Sequence, residues 1–186
     1  MSDPELMLHL KKGETLAFDE LYARYGKQLL GYFIRMLNYD KPKAQDALHD
    51  LFLKVIEKPE LFDGSKNFRT WIYTIAYNIC KNMYKHTEIV KEVIDELKQS
   101  NSYLDENFFS HSAAKIDAAV FKNALKAVLS ELPAEKKTAF ILRYQEERSI
   151  GEIAEIMNCE EGTVKSRIHY TLKIISEKLQ LFNPLN

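Results

Sequence analysis

Ser149-Ile150-Gly151-Glu152-Ile153-Ala154-Glu155-Ile156-Met157-Asn158-Cys159-Glu160-Glu161-Gly162-Thr163-Val164-Lys165-Ser166-Arg167 reads as a helix, a tight turn and a second helix. Ser149 and Glu152 fit a capping box, in which hydroxyl and carboxylate each satisfy a free backbone amide at a helix start. Ile153, Ala154 and Ile156 supply a core face. Asn158 tolerates left-handed geometry and ends the helix after Met157. A new helix begins near Glu160 to Thr163. On it Val164, Ile168, Leu172, Ile175 and Leu179 fall in one narrow stripe, the predicted buried side. Ser166, His169, Tyr170 and Lys173 fall opposite, flanked by Lys165 and Arg167.

Elsewhere in the chain, spacings of three and four recur almost everywhere, with no stretch of strict alternation and no Asn-Gly or Asp-Gly hairpin turn. The predicted class is all-α: two small helical domains joined by a flexible acidic linker, the second a four-helix helix-turn-helix domain. Asp3 and Pro4 read as the cap and first-turn proline of a short helix ending at Gly13. Thr15 opens a longer helix with Phe18, Leu21, Tyr22, Tyr25, Leu29, Tyr32, Phe33 and Met36 on its apolar side. Asp40 and Pro42 restart the chain into a helix bearing Leu48, Leu51, Phe52, Val55 and Ile56, which Pro59 ends. After the loop 62–67, a helix from about Phe68 to His86 carries a buried stripe of Ile72, Ile75, Ala76, Ile79 and Met83. Tyr73, Tyr77 and Tyr84 lie on one flank of that stripe and Trp71 on the other. The expected boundaries are 1–88 for the first domain, 89–114 for the linker, with a helical start through Ile94 and Leu97, and 115–186 for the second domain. Glu92, Asp95, Glu96, Asp105, Glu106 and Asp117 make the linker region acidic against Lys98 and Lys115.

Composition removes several classes of protein. The chain has 186 residues, 46% of them apolar, which is enough to fold without staples. Cys80 and Cys159 stand far apart in no CxxC or Cys/His cluster, so neither a disulfide framework nor a zinc ribbon is written. The longest near-apolar run, Trp71 to Cys80, falls well short of the roughly 20 residues of a membrane span. The N-terminus lacks the basic and apolar regions of a signal peptide, so a cytoplasmic protein without membrane insertion is expected. No Gly-rich phosphate loop, HExxH or nucleophile elbow occurs, and the histidines show no ligand spacing. An enzyme is therefore not expected, nor a metal, nor a cofactor.

Net charge is −1, from 26 basic and 27 acidic residues, yet the charges are segregated. Ser65 to Lys91 carries Lys66, Arg69, Lys81, Lys85 and Lys91 against Glu88 alone. Thr163 to Lys178 carries Lys165, Arg167, Lys173 and Lys178 against Glu177. Segments of this kind serve either as solvated helix faces or as phosphate-binding surfaces. The exposed side of the last helix combines groups able to read base edges with cations able to hold phosphates, although the same periodicity describes an ordinary bundle helix. In the helix after Phe68, Thr74, Asn78, Lys81 and Lys85 lie opposite the buried stripe. Cations, amides and aromatics together suit opened or single-stranded DNA, while the aromatics alone suit core packing.

Leu132-Pro133, Phe140, Leu142-Arg143, Ser149, Glu152-Ile153-Ala154 and Gly162-Thr163-Val164-Lys165-Ser166-Arg167 resemble the fourth region of bacterial sigma factors of the extracytoplasmic-function (ECF) group. Phe18-Asp19-Glu20-Leu21-Tyr22, Ala44 to Lys54 and Phe68 to Asn78 resemble the second region of the same group, in the same order. The resemblance covers about Ala17 to Leu179, apart from the linker. It implies an alternative sigma factor that binds core RNA polymerase, through the beta-prime clamp helices and the beta flap, and directs promoter-specific initiation. An anti-sigma factor is a possible further partner. By the same resemblance Lys165, Ser166, His169 and Tyr170 would read the minus-thirty-five element, with Arg167 and Lys173 nearer phosphates. Asp46, His49, Asp50 and Phe52 would dock on polymerase. The loop residues Ser65, Lys66 and Asn67 would catch a flipped base of the minus-ten element, and Asn78, Lys81, Asn82 and Lys85 would face the opening duplex.

Asn158-Cys159 at the turn, the acids Glu160-Glu161 at the helix start, and His169 and Tyr170 in place of a common cation depart from the pattern. So do His49 for Gln and Asp50 for Glu. Two alternatives carry different expectations: a sigma-mimic that binds an anti-sigma factor without DNA, and a helix-turn-helix regulator that never engages polymerase. Promoter elements about two helical turns apart are separated by roughly 70 Å. A linker of about 26 residues, at most about 88 Å long when stretched, permits both domains to reach them.

Overall fold

The structure, a computed structural model, describes residues 1–97 and 118–180. The described residues contain α1 (Asp3–Lys11), α2 (Thr15–Met36), α3 (Lys41–Glu57), a single 3-10 turn at Pro59–Leu61, and α4 (Phe68–Leu97). They continue with α5 (Ala118–Ser130), α6 (Ala134–Tyr144), α7 (Ile150–Met157) and α8 (Glu161–Lys178), and no strand occurs among them.

Local chemistry places most helix ends where the sequence puts them. Asp40 caps α3, its carboxylate accepting from the Lys43 amide at 3.1 Å. At α7 the Glu152 amide donates to Ser149 Oγ at 3.2 Å and the Ser149 amide to Glu152 Oε2 at 2.8 Å, the capping box in full. Asn158 sits at φ 48°, in the left-handed region, and turns the chain toward α8. Asp3, expected as a cap, is instead the first residue of α1, and Ser2 stands at the cap, its amide bound to Glu5 at 2.7 Å. That frees Asp3 to hold Arg24 at 2.8 Å and to accept from the Tyr25 hydroxyl.

Leu6, Leu21, Leu29, Phe33, Met36, Leu51 and Ile72 make the first half's core. Phe62, packed against Phe68 and Trp71 at ring separations of 5.3 and 5.1 Å, anchors the loop that leads into α4. Asn67 caps that helix by accepting from the Thr70 amide at 3.0 Å.

Three expectations need correction. The helix expected to end near His86 runs on as α4 to Leu97, through the helical start expected at Ile94 and Leu97; no Gly or Pro interrupts the run from Phe68 onward. The remainder of the predicted linker, 98–114, lies outside the described residues. In α8 Thr171 is buried and Leu172 exposed, the reverse of the expected stripe. A strict four-residue spacing drifts by about 40° per step on a helix of 3.6 residues per turn. Val164, Ile168, Thr171 and Ile175, alternating four and three, stay under α6, and the Thr171 hydroxyl is satisfied by Arg167 O at 2.8 Å. Tyr22, predicted on the apolar side of α2, is about half exposed at 47%.

The two halves pack directly on each other. α7 lies against α4, and α6 against α2 and α4. One continuous buried cluster runs from Leu6 through Tyr73 and Ile141 to Ile168. This is why Tyr73 and Tyr77, flanking the stripe in the sequence, are buried here: the C-terminal half covers them.

Candidate nucleic-acid interface

On α8 the capped turn leaves one face in water. Lys165, Ser166, His169, Tyr170 and Lys173 are all exposed, and successive turns of helix bring them together. Lys165 has Glu161 at 3.7 Å and Lys173 has Glu177 at 4.0 Å, both one turn away and in solvent. Such pairs are worth about 0.3–0.5 kcal/mol and yield readily to a phosphate. The Ser166 hydroxyl donates to Thr163 O at 2.9 Å, keeping its lone pairs available outward. Tyr170 is 55% exposed beside the His169 ring, so the centre of the face is aromatic. Arg167 differs from the others: it is partly buried, and its guanidinium reaches Cys159 Sγ at 3.5 Å across the turn.

On α4, Asn78, Lys81, Asn82 and Lys85 are exposed together, with the Lys81 ammonium 6.0 Å from the Tyr77 ring. In the loop before α4, Ser65, Lys66 and Asn67 are exposed. Asp63 organises them, accepting from the Ser65 amide at 2.9 Å and the Ser65 hydroxyl at 2.8 Å, which holds its carboxyl below the usual range. The Asn67 side-chain oxygen is engaged as the α4 cap, so only its amide NH2 faces outward.

Asp46, His49 and Asp50 line one exposed face of α3. Phe52 does not join them. It is buried at 3% exposure against Phe18 and Tyr22, with ring separations of 5.8 and 4.8 Å, and seats α3 on α2. Leu53 and Ile56, 42% and 43% exposed, extend the acidic face instead. The sequence contained that signal, because Leu53 follows Asp46, His49 and Asp50 at helical spacing.

Between the halves lies a set of buried polar groups. Glu146 accepts from the Arg35 guanidinium and from the Tyr73 hydroxyl, joining α2 and α4 to the segment after α6. Lys137 on α6 is buried and donates to Met36 O at 2.9 Å, to Asn38 Oδ1 and to Tyr84 Oη at 3.2 Å. Burial without a carboxylate partner pushes its ammonium down to about 8. Burial also pushes the neighbouring Cys80 thiol and Tyr84 phenol up, each to about 12. No sequence pattern marks Lys137 or Glu146, since each looks like an ordinary surface charge.

Two parts of the chain match known family descriptions: residues 21–88 match Sigma-70 region 2 and residues 122–175 match Sigma-70, region 4. The ECF RNA polymerase sigma-E factor of Escherichia coli strain K12 is 30% identical over 97% of this chain and 95% of its own length. This chain belongs to the ECF sigma factors. The RNA polymerase sigma-H factor of Pseudomonas aeruginosa is 29% identical, covering 96% of this chain and 94% of that protein. The fold is shared with solved structures. CnrH, in complex with the cytosolic domain of CnrY, superposes with a TM-score of 0.69 at 20% identity, covering 97% of this chain and 99% of that one. RpoE of Bartonella quintana, in complex with the anti-sigma factor NepR, gives 0.64 at 23% identity, with coverage of 89% and 98%.

As an ECF sigma factor the chain is an alternative sigma factor that acts in transcription initiation with RNA polymerase and promoter DNA. Among the described residues no helix is long and apolar enough to cross a membrane, and no group of His, Cys, Asp or Glu is arranged to hold a metal ion.

Proposed function

We propose that this ECF sigma factor reads the minus-thirty-five element with Lys165, Ser166, His169 and Tyr170, while Lys173 and Arg167 hold flanking phosphates. The observation that carries this reading is the solvent-facing side of α8, where donors, acceptors and cations share one face of a helix held by a capped turn. Arg167 must leave Cys159 to reach a phosphate. The loop Ser65, Lys66 and Asn67 receives an extruded base of the minus-ten element, and Asn78, Lys81, Asn82 and Lys85 contact the opening duplex. The face of α3 bearing Asp46, His49 and Asp50, extended by Leu53, docks on the beta-prime clamp helices, an acidic and apolar surface suited to a basic partner. The C-terminal half engages the beta flap. The domains are 1–88 for docking and minus-ten recognition and 115–186 for minus-thirty-five recognition, and the protein works in the cytoplasm as an initiation factor without catalytic chemistry of its own.

The packed arrangement cannot serve both promoter elements at once. Elements roughly 70 Å apart require separated domains, yet here Tyr77 on α4 lies close enough to Arg167 on α8 to feel its charge. Engagement of polymerase and promoter therefore separates α6 and α7 from α2 and α4, exposing Tyr73 and Tyr77.

Run-off transcription with purified core polymerase on pooled promoter fragments tests the reading. New transcripts sharing two upstream elements are expected. Silence with core binding intact would favour the mimic, and silence without core binding a separate regulator. Asp50→Arg should weaken core binding with an unchanged fold; unaltered affinity would remove Asp50 from the docking face.

A further inference from the structure

The packed halves leave a cleft between the C-terminal end of α2 and α5. It consists of two adjoining cavities of about 220 and 240 Å³ that share Arg35, Tyr39, Lys126 and Leu129. Lys137 closes one end and Lys122 the other. Among the described residues, four cations line this space and no carboxylate does.

Among the described residues, Arg35 alone of these four cations has a carboxylate partner. Arg35 gives one nitrogen to Glu146, but its Nε is buried and finds no partner among the described residues. Among the described residues the hydrogen bonds of Lys137 all end on neutral oxygens, so its charge is solvated locally without a carboxylate beside it. Lys122 and Lys126 stand one helical turn apart on α5, a like-charged pair that repels itself. Lys126 is held over the Tyr39 ring at 4.2 Å, so the wall of the cleft positions its ammonium. Tyr39 and Asn38 both adopt positive φ, 65° and 54°, a strained pair for residues with side chains, and both line the cleft.

We propose that this cleft binds a small multivalent oxyanion of the phosphate class, held directly by Arg35, Lys122 and Lys126 with Lys137 behind them, and that the bound anion ties the two halves together. Each cavity holds several water volumes at about 30 Å³ apiece. A phosphate or pyrophosphate fits this space and a nucleic-acid duplex does not. The anion would pair with the exposed Lys122, the half-buried Lys126 and the Arg35 guanidinium, beside the buried Lys137, where Coulomb attraction is stronger than at an open surface. It bridges α2 of the first half to α5 of the second. The consequence for transcription, that the anion opposes the opening promoter engagement requires, rests on the function proposed above; the binding itself does not.

The test uses the full chain without DNA or polymerase, so it fails or succeeds independently of that function. Pyrophosphate, and orthophosphate in parallel, are titrated calorimetrically against chloride at matched ionic strength. The expected result is saturable one-to-one binding, tighter for pyrophosphate, with a raised melting temperature. The exposed-site double variant Lys122→Gln/Lys126→Gln should lose about tenfold or more in affinity, because two charge-assisted contacts go. Its unliganded melting curve shows whether it folds. The double variant Lys165→Gln/Lys173→Gln on α8 should bind as the parent does. An adventitious ion only, seen as no saturable binding above the chloride control, would overturn the proposal. So would affinity that survives the α5 substitutions, or affinity lost on changing α8, which would place the anion on the promoter-reading face.

Discussion

Lys165 and Lys137 stand on neighbouring helices of the same C-terminal half and share a charge but almost nothing else. The Lys165 side chain is 65% exposed, loosely paired with Glu161, and free to exchange that acid for a phosphate. Lys137 is 1% exposed and donates to the backbone end of α2, to Asn38 and to Tyr84. One cation is available to a ligand and the other is part of the protein's architecture. A positive charge in a DNA-binding protein is therefore not by itself a DNA contact; its counter-groups decide. The same contrast separates Lys173, on the open face, from Arg148, which is buried against the Tyr73 ring at 5.3 Å.

The sharpest way to break this contrast is to remove Glu146. Glu146→Ala leaves Arg35 and the Tyr73 hydroxyl without their shared acceptor at the junction, and the loss should be about 3 kcal/mol, as for other buried pairs broken on one side. Urea unfolding followed by circular dichroism measures it. A loss near zero would mean that the junction opens at no cost and that the buried set contributes nothing.

On the open face the effect should appear in specificity and not in folding. Lys165→Ala or Ser166→Ala should change minus-thirty-five preference by about 1–3 kcal/mol at one base position, measured by competition among duplex variants. Equal weakening on every duplex would turn these side chains into phosphate contacts. Ser149→Ala should cost about 1 kcal/mol, since the Glu152 amide loses its acceptor. A thermal melt compared with the parent detects that change, and base preference should be unmoved.

The smallest effect is in pH. The Lys137 ammonium falls from 10.5 to about 8 on burial, so the folded protein releases its proton before the unfolded chain does. Stability therefore rises as pH climbs through about 8. From pH 9 upward the buried Cys80 thiol, raised to about 12, works the other way, because only the unfolded chain then loses its proton. The gain should be confined to the interval between about 8 and 9 and absent from Lys137→Met. Urea midpoints on both sides of pH 8, for parent and variant, decide it.

Much of the fold could be read from local signals. Ser149 with Glu152, Asn158 and Asp40 each act within four residues of themselves, and all three do in the structure what their chemistry requires. The exposed set on α8 and α4 followed from the same logic, because a helix with one apolar stripe leaves its opposite side in water. Legibility failed where a second helix was needed to decide. Phe52 entered the docking set by resemblance, whereas Phe18 and Tyr22 of α2 take it into the core beside Leu51 and Val55. Thr171 displaces Leu172 from the core because α6, not α8, chooses the contact line. The cleft between α2 and α5 has no counterpart in any sequence window, since Arg35 and Lys122 come from opposite halves of the chain.

The helices, their caps, the helix-turn-helix and the segregation of positive charge follow from the chain alone, because hydrogen bonding to near neighbours and hydrophobic periodicity act along it. Which cations remain in water is settled by how the helices pack. Lys165 and Lys137 look alike in the sequence, and the difference arises when α6 settles on the end of α2: desolvation and the nearby oxygens, contributed from about a hundred residues away, turn one of them from a surface charge into a buried contact.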